Sequence, residues 1–562
     1  MPKAPKLAII GIDSADWRLM EPWLETGDLP NIAAVIDSGC RSPLRSTVPP
    51  STACAWPSMM TGVNPGKNGV FGFVEFRDDY TPRLMSNVDR QAPALWDLLA
   101  ERLMTVGVYN VPMTYPPNQV NGYMVSGEIG AVEWDESLCR PRELFEELAA
   151  VVPPERYEME PVHQRQGRLD LAGLERQVAA RRTIACHLLD HHPTDVFISV
   201  VNYVDHIQHR RLGKRRAGGV ADVVRLAYQA ADEFVGAILE RCDDDTAVLL
   251  VSDHGSGPVE GYFDLNAMLA SLGYLRYKPE AVAQFEAQQR RAGWRRRRYA
   301  LSRRIPGPLK SFVRRLLGRS QPAAVHPARP RDLKRDHFAI RQNLALTPAV
   351  DWERTRAYSA GLYLSARLNL KGREQQGIVA PEEYEGLRAE ITGRLNEIKN
   401  PLTGETDLGA MPADEVYSGE HMQWAPDIIG VPQGGALTLK NLPGNERRPF
   451  LRGSDIWADY PWGEGVPGTH RMDGILACRA PRRQARMVAG EPTVMDIAPT
   501  ALALLGLPIP AHLDGRVILD LPQAQTDQTG GGPWRRAEGP GSAYDDEEEK
   551  KVERRLKDLG YL

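Results

Sequence analysis

Leu7-Ala-Ile-Ile-Gly-Ile-Asp13 runs through six apolar residues and closes on a carboxylate. Six residues are too few for a buried helix, so the run reads as a strand covered on both faces. Two later segments repeat the design. Asp195-Val-Phe-Ile-Ser-Val-Val201 is followed by Asn202-Tyr-Val-Asp205, and Thr246-Ala-Val-Leu-Leu-Val251 by Ser252-Asp-His-Gly255. Longer amphipathic stretches lie between them. They predict helices over Asn31–Asp37, Ala94–Leu103, Leu171–His191 and Ala221–Arg241, with a further strand over Thr105–Tyr109. Short apolar runs alternating with helices are the pattern of an α/β protein with a mostly parallel sheet. In such a sheet ligands gather at the carboxyl ends of the strands, and there these acidic and histidine residues fall.

The composition agrees with one large folded unit. Of 562 residues, 42% are hydrophobic and 25% charged, an ordinary balance for a folded soluble chain. The net charge of -4 gives no argument for a nucleic-acid or membrane partner of the chain as a whole. The six cysteines are scattered without a CxxC pair. Met1-Pro-Lys-Ala-Pro-Lys6 leads straight into the first strand, and no run approaches the roughly 20 apolar residues of a membrane span. A reduced, cytoplasmic setting is therefore expected.

Four separated segments carry hard metal donors: Asp13, Asp205-His-Ile-Gln-His209, Ser252-Asp-His-Gly255 and Gly468-Thr-His-Arg-Met-Asp473. Asp205 and His209 are one helical turn apart, so a helix would bring both to one face. Taken singly, each segment has a bland reading: a carboxylate after a strand is often an N-cap, and Asp-His-Gly is often a turn. Together they supply six carboxylate and imidazole ligands, a set that suits zinc and similar divalent ions. The last segment reads as a Gly/Pro-rich loop. Val48-Pro-Pro-Ser-Thr-Ala-Cys-Ala-Trp-Pro-Ser-Met-Met-Thr-Gly62 adds hydroxyls at Ser51 and Thr52, which serve either as a nucleophile or as a cap on a turn. Cys54 stands in Cys54-Ala-Trp-Pro-Ser-Met59, not in the Cys-x-Pro-x-Arg context of a sulfatase. His187, His191 and His192 read as surface or packing residues, and Asp473 as a loop cap or a partner for a ligand histidine.

Gly11-Ile-Asp13, Pro50-Ser-Thr52, Thr61-Gly-Val-Asn-Pro-Gly-Lys-Asn-Gly69, Asp205 with His209, Ser252-Asp-His-Gly255 and Gly468-Thr-His470 stand in an order that resembles the type I phosphodiesterase/nucleotide pyrophosphatase family of the alkaline phosphatase-like superfamily. Asp496-Ile-Ala-Pro-Thr-Ala-Leu-Ala-Leu-Leu-Gly-Leu-Pro508 and Asp514-Gly-Arg516 look like the family's final core helix and strand. The resemblance implies a three-layer α/β/α core with an inserted cap. It also implies two divalent metal ions, zinc with manganese as an alternative. Asp205, His209 and His470 would hold one. Asp13, Asp253 and His254 would hold the other, which also takes the oxygen of Thr52. Thr52 would attack phosphorus in line and form a phospho-enzyme intermediate. Phe73 stands where animal nucleotide pyrophosphatases have an asparagine, so their activity as such does not carry over.

The expected organisation is a core over 1–261, a basic cap over 262–347, a second part of the core over 348–522, and a flexible linker with a charged tail over 523–562. Arg290, Trp294, Arg295–Arg298, Lys310, Arg314, Arg315 and Arg319 give residues 290–319 a basic and aromatic character. That segment reads as a solvated face of the cap, or as a recruiter of an anionic substrate or of an anionic membrane surface, and no nucleic-acid module surrounds it. The expected reaction is hydrolysis of a small phosphate-ester substrate, foremost a diester. A phosphomonoesterase or phosphomutase, and a non-catalytic metal- or phosphate-binding protein, are the alternatives.

Overall fold

The computed structural model describes residues 3–127, 129–131, 133–157, 171–212, 221–259, 261–283, 349–359, 363–400, 404, 406, 408–431, 437–439, 450–452, 468–481, 486–521, 526–527 and 543–559. An eight-stranded sheet organises them, in the order Cys40–Arg45, Asp473–Arg479, Ala247–Val251, Leu7–Ile12, Val196–Val201, Val106–Tyr109, Gly122–Val125 and Cys139–Arg140. The five strands from Ala247–Val251 to Gly122–Val125 run parallel, and the remaining pairings are antiparallel.

The opening apolar run lies at the middle of this sheet, buried throughout. Its side chains alternate between two cores. Ala8, Ile10 and Ile12 join the cluster under helices Trp17–Glu25, Pro30–Asp37, Leu171–His191 and Ala221–Leu239. Leu7 and Ile9 join the cluster under helices Thr52–Thr61, Leu95–Glu101 and Ile497–Leu504. This period-two alternation between two helical layers produces the α/β/α architecture expected from the sequence. Each helix and strand expected from the periodicity is present, with ends shifted by up to two residues, but Asp514-Gly-Arg516 forms no strand.

Two of the expectations change. Gly468–Arg471 is a strand and not a loop: it pairs antiparallel with Gly255–Pro258, setting His470 opposite Ser256. Asp473 starts the strand Asp473–Arg479 and is exposed, so it does not orient a ligand histidine. Beyond residue 347 the chain builds a second sheet. A four-stranded antiparallel sheet of Ala357–Tyr358, Leu364–Leu368, Ile428–Gly430 and Ala410–Pro412 carries its own core. Leu387, Ile391 and Leu395, four residues apart on helix Tyr384–Asn396, close one side of that core. Phe263, Leu265 and Leu269 join it from the near side of the insertion. The basic stretch 290–319 lies outside the described residues.

The C-terminal helix Asp546–Leu559 packs on the main unit. Val552 and Leu556 are buried in the first core, Tyr544 stacks on Tyr115, and the Tyr544 hydroxyl donates to the Gly130 carbonyl at 2.7 Å. All six cysteines are free thiols. Among the described residues, no helix is long and apolar enough to cross a membrane.

Candidate metal centre

The strands Leu7–Ile12, Val196–Val201 and Ala247–Val251 are neighbours, and their carboxyl ends deliver Asp13, Asp205 and Asp253 to one edge of the sheet. Helix Tyr203–Arg211 starts right after the second strand, and its first two turns place Asp205 and His209 together. His254 follows the third strand, and the Gly255–Pro258/Gly468–Arg471 ribbon brings in His470 from more than two hundred residues away. Two trios result. Asp205, His209 and His470 form one, and Asp13, Asp253 and His254 the other, with the donor atoms of each within 4.8 Å of one another. Both trios are the sets expected from the sequence.

In the first trio, His209 Nε2 lies 3.3 Å from Asp205 Oδ2, His470 Nε2 lies 3.6 Å from Asp205 Oδ1, and the two Nε2 atoms are 2.9 Å apart. In the second, His254 Nε2 lies 3.1 Å from Asp253 Oδ2 and 3.8 Å from Asp13 Oδ1. The His254 and His470 rings stack with centroids 3.6 Å apart, which joins the trios into one centre. Thr52 is the first residue of helix Thr52–Thr61 and fully buried; its Oγ1 sits 3.1 Å from His254 Nε2. Ser51 is the N-cap of that helix but makes no side-chain capping bond, so the turn-cap reading does not describe this segment.

The donor set fits cations on three grounds. First, each histidine turns Nδ1 to a main-chain carbonyl: His209 to Gly468 at 3.3 Å, His254 to Gly255 at 3.1 Å and His470 to Pro50 at 2.7 Å. A proton on Nδ1 makes that bond and leaves the Nε2 lone pair aimed into the centre, the usual orientation of a ligand imidazole. Second, Asp13 Oδ1, both oxygens of Asp205 and Asp253 Oδ2 are buried with no hydrogen-bond donor. Third, no lysine or arginine pairs with the three carboxylates among the described residues. Stripping a carboxylate of water costs several kcal/mol unless positive charge replaces it, and here an ion is the fitting source.

The protonation behaviour follows the same geometry. Burial first, and repulsion from neighbouring carboxylates second, push Asp13 and Asp253 well above the carboxylate range, Asp253 to about 8. Burial also opposes ionisation of Asp205; His209 and His470 hold this carboxyl well below its usual value only when their Nε2 atoms carry a proton, the place an ion would take. Burial keeps His254 and His470 down, in the neutral form that binds metals. Burial drives the Cys54 thiol up to about 12, so it stays protonated at neutral pH and is no rival nucleophile.

Several residues of the centre carry no signal in the sequence. The Trp56 indole, one turn beyond Thr52, donates to Asp13 Oδ2 at 3.3 Å. Gly11 makes room for it, because a Cβ there would lie 2.4 Å from Trp56 Cη2. The Ser14 amide donates to Asp253 Oδ1 at 3.2 Å. Tyr363, just before the strand Leu364–Leu368, places its hydroxyl 2.9 Å from His470 Nδ1. A tryptophan inside an apolar helix and a tyrosine at the start of a strand look like packing residues until the fold brings them to the centre.

The family model for Type I phosphodiesterase / nucleotide pyrophosphatase matches residues 7–303, just over half of the chain. The chain belongs to this family. The matched span holds Asp13, Thr52, Asp205, His209, Asp253 and His254, and the fold adds His470 from beyond it. Type I phosphodiesterases and nucleotide pyrophosphatases are phosphoester hydrolases, and the chain is one by membership. Among solved structures, phosphonoacetate hydrolase from Sinorhizobium meliloti 1021 in complex with phosphonoformate is similar at 13% identity, with a TM-score of 0.49 over 88% of this chain and 94% of that one. The same hydrolase in complex with phosphonoacetate gives 12% identity and a TM-score of 0.47 over the same shares. Comparison with the curated proteins gave no match.

Proposed function

We propose that this protein is a two-metal phosphodiesterase that works through a phosphothreonine on Thr52. The observation that carries the reading is the Thr52 hydroxyl, buried 3.1 Å from His254 Nε2 at the junction of two Asp/His trios. Divalent ions held by the trios, zinc foremost and manganese as the alternative, would make hydroxyl and water nucleophilic at neutral pH and offset the charge of the transition state.

The chain's own groups do the rest. Thr52 loses its proton, its Oγ forms a bond to phosphorus, and the ester oxygen opposite leaves with its electron pair. Water then cleaves the Oγ–phosphorus bond, releasing the phosphate product and regenerating the hydroxyl. Thr52 opens a ten-residue helix, so the positive end of the helix dipole faces the phosphoryl group. Trp56 and the Ser14 amide fix Asp13 and Asp253, and the carbonyls of Gly468, Gly255 and Pro50 fix the three imidazoles.

The diester is favoured over the monoester because a monoester brings an extra negative charge. Among the described residues no lysine or arginine pairs with the centre to receive it. Free thiols at all six cysteines support a reducing compartment such as the cytoplasm. The experiment is a paired rate assay of metal-loaded protein on bis-p-nitrophenyl phosphate and p-nitrophenyl phosphate, with Thr52→Ala as the blank. Faster Thr52-dependent release from the diester is expected. Faster release from the monoester would reassign the protein as a phosphatase or mutase.

A further inference from the structure

His187 and His192, which read as surface or packing residues in the sequence, meet Glu147 at a second place in the fold. Glu147 lies on helix Leu144–Val151, His187 in the last turns of helix Leu171–His191, and His192 directly after it. His187 Nε2 is 2.5 Å from Glu147 Oε1, and His192 Nε2 is 3.0 Å from both carboxylate oxygens. A simple ion pair needs one imidazole. Here two present the same ring nitrogen to one carboxylate, and the three donors lie within 4.8 Å of one another.

We propose that Glu147, His187 and His192 form a third cation site, selective for a divalent transition ion of the zinc class. Two imidazoles and one carboxylate are borderline donors, which favour zinc over calcium or magnesium. Zinc with legs of about 2.1 Å sets its tetrahedral donors roughly 3.4 Å apart, so each imidazole must move from the carboxylate by less than about 1 Å. Partly exposed side chains can do that: His187, His192 and Glu147 keep 15%, 34% and 41% of their side-chain surface. The buried Tyr123 ring meets His192 edge-on at 5.9 Å and holds its plane. The His191 ring, 4.4 Å from that of His187, is at hand for the fourth position, which water can also fill.

The site is separate from the catalytic centre. His192 precedes the strand Val196–Val201 and Asp205 follows it, so six strand residues at about 3.3 Å each put the two roughly 20 Å apart. An ion there would tie helix Leu144–Val151 to the end of helix Leu171–His191, a structural role.

The test is equilibrium dialysis of chelator-stripped full-length protein against buffered micromolar Zn2+, with bound metal counted per chain. Wild type should bind one ion more than His187→Gln/His192→Gln, and turnover of the double variant should stay within about twofold of wild type. Glu147→Gln should weaken the extra ion at least tenfold. Equal counts for wild type and the double variant would overturn the proposal. Because the readout is a difference, a failure of the catalytic ions to bind would lower both counts and leave that difference intact.

Discussion

Trp56 and Gly11 show how a ligand carboxylate is held by residues that have no metal chemistry of their own. The indole reaches Asp13 across a strand position where any side chain would collide with it. Trp56→Phe keeps the packing but removes the donor, and loss of such a partner weakens metal binding by roughly ten- to a hundredfold; competition with a chromophoric chelator would measure it. Thr52→Ala should lower turnover by at least about 10³-fold, as expected for loss of a nucleophile, with metal content unchanged by atomic spectrometry. A fall in metal content of that variant would instead make Thr52 chiefly a ligand. The six candidate ligands are legible in the sequence because each sits in a short motif beside a strand or helix start. Trp56, Ser14 and Tyr363 are not, since their roles depend on contacts between distant segments.

At the scale of elements, Asp195 ties together the entry side of three strands opposite the catalytic edge. Its carbonyl accepts from the Lys6 amide at 2.7 Å, and its carboxylate accepts from the Thr105 amide and hydroxyl at 3.1 Å each. Burial opposes its ionisation, but the Thr105 amide, Lys3, Lys6 and the Thr105 hydroxyl outweigh it and hold the carboxyl below its usual range. A depressed carboxyl adds stability that is present above the unfolded value near pH 4 and is lost as pH falls through the folded one. Asp195→Asn should therefore be less stable than wild type at pH 6, by about 1–2 kcal/mol for such a charge-assisted set of bonds, and the gap should close towards pH 2. A gap that stays constant in denaturant titrations across that range would show that the carboxylate's charge is not the cause. The strands themselves were readable from apolar runs of five or six residues. The Gly468–Arg471 strand was not, because Gly-Thr-His-Arg has no apolar alternation and pairs only through its partner Gly255–Pro258.

At the scale of the molecule, two large cores flank the main sheet, and a third lies under the separate four-stranded sheet that includes Leu364–Leu368. The break in the α/β rhythm near Tyr262 is visible in the sequence, but this second sheet is not. Leu364–Leu368 alternates buried and half-buried residues, as a strand of the main unit could equally do. Tyr363 joins this sheet to His470, so the position of the sheet and that of the imidazole are linked. The C-terminal segment, readable in the sequence as a short charged helix, packs on the main unit through Tyr544, Val552 and Leu556. Leu556→Ala should lower the stability of the whole unit by about 2–4 kcal/mol, the range for a buried leucine. A single cooperative thermal transition at lower temperature is expected, and an unchanged main transition would mean that the helix unfolds independently.

The central claim is that Thr52 carries the phosphoryl group during turnover. Acid-quenching metal-loaded protein within the first turnovers on bis-p-nitrophenyl phosphate, followed by peptide mass spectrometry, tests it most directly. A phosphorylated adduct on Thr52 is expected to appear with the first turnover and to disappear when substrate is exhausted. Full turnover with no adduct on Thr52, or with activity retained by Thr52→Ala, would contradict it.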